Sequence, residues 1–142
     1  MKISSALKIV LDTNIFLVSI AKKSKYNPIF EDFWQVSTRA LFLLKYYTNY
    51  EEIIFTRHSK IAVEEAFELL LNASNVIRQD VYFNWNLITA DPDDNKFVDI
   101  AVATNADFIV TNDKHFKILD TIDFPKVNII TAEEFLEILG NL

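Results

Sequence analysis

The period of the apolar positions changes several times along this chain, and each change marks an element. Residues 8–11, "KIVL", form a continuous apolar run that stops at Asp12, the pattern of a short strand buried on both faces. In "DTNIFLVSIAKKSK", Ile15, Val18 and the pair Ile20 and Ala21 share one helical face. Asp12 to Asn14 are available there as a cap, and Lys22, Lys23 and Lys25 lie toward the far end. Residues 30–47 are aromatic-rich and fit either a helix or a helix followed by a strand. From Ser59, Val63, Ala66, Phe67, Leu70 and Leu71 recur at helical spacing, with Glu64, Glu65 and Glu68 facing outward. "NKFVDIAVATNA" repeats that spacing with Phe97, Val98, Ala101 and Val102, after an acidic turn suited to a helix N-terminus. "DFIVTND" and "VNIIT" are short buried strands, and Thr131 with Glu134 forms a capping box for the closing helix "AEEFLEIL".

Strands alternating with helices require crossover connections, so the predicted fold is α/β with a mainly parallel sheet and helices on both faces. At 142 residues and 51% hydrophobic, the chain is expected to be one domain over residues 1–142 with a sizeable core. The apolar run near the N-terminus is too short for a signal peptide or a membrane span, and no cysteine is present. Both features fit a cytoplasmic protein with no membrane association. Gly140 is the single glycine, so a Walker loop and a dinucleotide fingerprint are excluded, because both need glycines for close approach to phosphate. A net charge of −6 repels nucleic acid unless a cation or a local basic patch intervenes.

The acidic segment is where chemistry concentrates. Ligands of open parallel sheets sit outside the carboxyl ends of the strands, and Asp12 and Asp113 both follow such ends. Asp91, Asp93 and Asp94 stand in the turn that leads toward the second of these strands, and one of the three can join the other two. Two carboxylates about 4 Å apart repel by about 4 kcal/mol at an effective dielectric near 20, which a divalent cation would relieve. Oxygen ligands without cysteine favour Mg²⁺ or Mn²⁺ over zinc. The same residues also suit a turn and a helix cap. Asp99 reads as a solvated helix face, Asp107 as a loop residue and His115 as a surface residue. Lys22, Lys23, Lys114 and Lys117 read as surface charges able to contact phosphate as a group.

Taken together, "IVLDTNIFL", "DPDDNKFVDIAVATNADFIVTNDKHF" and "NIITAEEFLEIL" resemble the PIN-domain family, in the branch described as toxin components of toxin–antitoxin systems. The resemblance covers residues 8–18 and about 75–139. It implies an α/β/α sandwich, Mg²⁺- or Mn²⁺-dependent endoribonuclease activity on RNA and a cognate antitoxin protein as partner. On this chain the family's metal aspartates match Asp12, Asp94 and Asp113, with Asp91 and Asp93 as substitutes for Asp94. Thr13, Asn14 and Thr111 match neighbouring positions that orient carboxylates or water.

One departure stands out. The family supplies a further acid after its second strand, yet residues 36–50 contain none, which suggests local replacement of that segment. Glu51 is the nearest substitute, followed by Glu52. If the acid is missing, the alternative is a degenerate PIN domain that binds RNA or protein without cutting. Phe30, Phe33, Trp34, Phe42, Tyr46 and Tyr47 would then fill the core or form a homodimer or antitoxin interface. A phosphatase of the Asp-x-Asp type would need an acid where Asn14 stands.

Overall fold

The computed structural model describes residues 7–35, 40–43, 65, 68, 76–77 and 81–141. Strand β1 (Leu7–Leu11) shows why its sequence is apolar throughout. Ile9 and Leu11 belong to one core cluster and Val10 to another, so the strand is covered on both sides. β2 (Ala40–Leu43), β3 (Val76–Ile77), β4 (Phe108–Val110) and β5 (Ile129–Ile130) complete a five-stranded sheet in the order β3-β2-β1-β4-β5. Every pairing is parallel, with Ile9 opposite Phe108 and Leu11 opposite Val110.

The layers follow from these side chains. Helices α1 (Thr13–Ser19), α2 (Asn27–Gln35) and α4 (Ala132–Gly140) lie on one face, where Phe16, Ile29, Ala132 and Phe135 pack against Ile9, Leu11 and Val110. Helix α3 (Asn95–Thr104) and a 3-10 segment (Lys114–Thr121) cover the other, where Val98, Ala101, Phe116 and Leu119 meet Val10 and Ile109. The fold is an α/β/α sandwich. The ambiguous aromatic region resolves into helix plus strand, α2 followed by β2. Among the described residues no helix is long and apolar enough to cross a membrane.

The predicted apolar stripe of α1 differs from the observed one. Ile15, Phe16 and Leu17 are all buried, Val18 and Ile20 only partly so, and Ala21 is exposed. A two-turn helix wedged between the sheet and α2 is enclosed around most of its circumference, so a one-sided period does not describe it. Glu65 and Glu68 are helical and exposed as expected, while the rest of the helix predicted from Ser59 lies outside the described residues. At the end of α3, Asn105 adopts the left-handed conformation (φ 54°) that a glycine would ordinarily take. The turn it makes leads to Asp107, which accepts the Lys8 N–H at 2.9 Å and aligns β4 beside β1.

The strand order reverses at β1: the chain moves outward through β2 and β3, then crosses back to β4 and β5. Beyond the carboxyl ends of β1 and β4 the chain leaves toward opposite faces, α1 to one and the 3-10 segment to the other. A crevice opens there for geometric reasons alone.

Candidate metal centre

Asp12 and Asp113 stand at the two lips of that crevice. Asp12 is 6% exposed, and each of its oxygens has one protein donor: Oδ1 accepts the Asn14 N–H at 3.0 Å and Oδ2 accepts the Thr111 hydroxyl at 2.7 Å. Burial pushes the Asp12 carboxyl above the ordinary aspartate range, while these two hydrogen bonds oppose the shift. Thr111 Oγ1 also accepts the Asp113 N–H at 3.1 Å. One hydroxyl therefore ties the first residue after β1 to the turn after β4. Asn14 acts through its backbone amide, and its side chain is exposed; the Thr13 side chain lies outside the described residues.

The acidic turn supplies the third side. Pro92–Asp94 is a 3-10 turn capped by Asp91, whose Oδ1 accepts the Asp93 N–H at 3.2 Å. Asn95 fixes the turn against the preceding segment: its side chain accepts the Ile88 N–H and donates to the Ile88 carbonyl, both at 2.8 Å. This clamp, buried at both ends, aims Asp94 into the crevice and leaves Asp93 exposed. Of the three acids in the turn, Asp91 and Asp94 face the centre.

His115 completes the group: its side chain is 37% exposed, as a surface residue's is, but its Nδ1 is enclosed. Asp113 caps the 3-10 segment by accepting the His115 N–H at 2.9 Å, which turns the imidazole back over the crevice. Its Nδ1 lies 3.3 Å from Asp113 Oδ1 and 3.7 Å from Asp94 Oδ2. One ligand atom from each of Asp91, Asp94 and His115 falls within 4.8 Å of the other two. Asp94 Oδ2 and His115 Nδ1 are both buried without a hydrogen-bond partner. The Asp94 carboxyl is pushed up to about 6, by burial first and then by the charges of Asp91, Asp113 and Asp12, with His115 opposing. Lone pairs enclosed together, on side chains that repel as anions, are a donor set that fits a divalent cation.

One other expectation changes. Asp99 is 5% exposed, not solvated, because the segment that runs over α3 brings the Trp85 N–H within 3.0 Å of its Oδ1. Of the aromatics of the early region, Phe30 packs against the core, and the side chains of Phe33, Trp34, Phe42, Tyr46 and Tyr47 lie outside the described residues. Tyr82, Phe83 and Phe124 are the exposed large aromatics, with Trp85 edge-on to both Phe83 and Phe124. Glu51 and Glu52 also lie outside the described residues.

The family model described as PIN domain matches residues 8–115. Its span takes in Asp12, the acidic turn, Asp113 and His115, and also residues 36–50, where the sequence pattern departs from the family's. A search of curated proteins finds no match.

Proposed function

Because this chain belongs to the PIN-domain family, whose members are typically metal-dependent nucleases, we propose that it is a metal-dependent endoribonuclease and the toxin of a toxin–antitoxin pair. The observation that carries the reading is the buried, unpartnered Asp94 Oδ2 at the strand-order reversal, among acids that hydrogen bonds hold in place. Asp12, Asp94 and Asp113 would hold Mg²⁺ or Mn²⁺, with Asp91 at the rim. Such an ion supplies Lewis acidity, which acidifies water and offsets charge developing on phosphate. Thr111 and the Asn14 amide keep Asp12 oriented, and the Asn95 clamp keeps Asp94 from swinging out. A carboxylate of the centre can accept the proton of the attacking water.

The surroundings fit a single-stranded substrate. A polar groove of about 190 Å³ adjoins the acidic turn, lined in part by Asn84, Asn86 and Lys96. Lys114 and Lys117 are exposed on the segment that follows Asp113, and Lys22 and Lys23 are exposed beyond α1. Lys96 beside the acidic turn and Lys114 next to Asp113 offset part of the chain's negative charge there. The test is incubation of a mixed-sequence single-stranded RNA with the protein and Mn²⁺, then with EDTA, and with Asp94→Asn. Cleavage by water that stops in the last two supports the reading; cleavage that persists in EDTA contradicts it. For the toxin role, growth arrest on expression of the wild type and none with Asp94→Asn is expected, with relief by the cognate antitoxin in the cytoplasm.

A second reading, an inactive PIN domain that binds RNA or protein, is favoured by the exposed aromatic group of Tyr82, Phe83, Trp85 and Phe124. RNA retention that is unchanged by Asp94→Asn, with no cleavage in Mn²⁺, would select it.

A further inference from the structure

We propose that His115 is a nitrogen ligand, through Nδ1, of the same ion that Asp94 holds, and that the centre therefore selects Mn²⁺ over Mg²⁺. The inference rests on the metal-centre reading above and adds a donor that its aspartates do not supply.

The geometry favours ligation over a simple ion pair. Nδ1 is enclosed and makes no hydrogen bond, although carboxylate oxygens lie 3.3 and 3.7 Å away. The unpartnered Nδ1 and the unpartnered Asp94 Oδ2 are enclosed side by side, and one ion between them would satisfy both. Two donors on one ion, with bonds of about 2.1 Å, sit roughly 3.0–3.4 Å apart for octahedral to tetrahedral angles, so a small rotation of either side chain brings Nδ1 and Asp94 Oδ2, 3.7 Å apart, onto one ion.

The backbone holds the ring where ligation needs it. The His115 N–H is bonded to Asp113 Oδ1, and the next residue, Phe116, is fully buried in the core on that face. Ring and carboxylate are thus positioned by the same turn. Imidazole is a borderline donor that first-row transition ions, Mn²⁺ the weakest among them, accept more readily than Mg²⁺, which takes oxygen and water.

The direct test is pulsed EPR of the wild-type protein loaded with Mn²⁺, which reads nitrogen bonded to the ion whatever the activity. A ¹⁴N modulation that changes to ¹⁵N when only histidine is labelled is expected, and no variant needs to fold for that result. Calorimetry adds selectivity: His115→Gln should weaken Mn²⁺ binding about ten-fold or more and Mg²⁺ binding far less. Mn²⁺ bound with no histidine nitrogen signal would overturn this inference and leave the nuclease reading standing. Failure of the folded wild type to bind Mn²⁺ would overturn both.

Discussion

The Thr111 hydroxyl donates to Asp12 Oδ2 at 2.7 Å although the two residues are 99 positions apart. The contact crosses from the end of β4 to the end of β1, and the same oxygen receives the Asp113 amide. A hydroxyl that both donates and accepts is needed here, and valine has the shape without the chemistry. Thr111→Val should weaken Mn²⁺ binding about 10- to 100-fold, as loss of a group that orients a ligand does. Urea unfolding should show a loss of roughly 1–3 kcal/mol, because a buried carboxylate oxygen loses its donor.

Asp94 makes the metal-free protein less stable at neutral pH. Its folded pKa of about 6 lies above the ordinary value of 3.8, so between the two the folded state binds more protons than the unfolded state. Stability therefore falls as pH rises through this window, and the penalty is fully present above about pH 6. Thermal unfolding without metal should show a higher midpoint at pH 5 than at pH 7.5. Asp94→Asn should flatten that slope and raise the midpoint at pH 7.5 by a few degrees while abolishing metal binding.

Protons and metal compete for the same carboxyl. Mn²⁺ affinity measured by calorimetry should fall by up to about ten-fold per pH unit below pH 6 for each proton displaced. Binding at pH 6 should release protons, seen as a dependence of the observed enthalpy on the buffer's ionisation enthalpy.

Asn95 is a clamp whose loss reaches the centre indirectly. Both Ile88 backbone groups that it satisfies are buried, so Asn95→Ala should cost about 2–4 kcal/mol by urea unfolding. Metal affinity should also fall, since Asp94 is the preceding residue. Asn95→Asp, which turns a carboxylate oxygen toward the Ile88 carbonyl and adds a buried charge beside Asp94, should lose at least as much at pH 7.5.

The strand ends that carry Asp12 and Asp113 were legible in the sequence, and the features that were not share a cause. An apolar run that ends in Asp12 or leads into Asp113 states that these acids sit at strand ends, and the parallel fold brings such ends together. Which acid of the turn faces inward depends on the Asn95 clamp to Ile88, a contact that no period reveals. The approach of His115 Nδ1 to the acids was not foreseen because its direction is set by the cap two residues earlier, where Asp113 accepts its amide; an Asp-x-His after a strand was the available signal. Asp99 looked solvated because helical spacing records the helix alone and not the segment laid over it. Local pattern therefore located strands and caps, while contacts between distant segments decided which side chains meet.

The most direct measurement is calorimetric titration of Mn²⁺ into the wild-type protein, Asp12→Asn and Asp113→Asn, with folding of each verified by circular dichroism. If the aspartates after β1 and β4 serve one ion, the wild type binds stoichiometrically and both variants lose binding by at least about ten-fold. Unchanged affinity in both folded variants, or no binding to the folded wild type, would contradict a shared metal centre at the crevice.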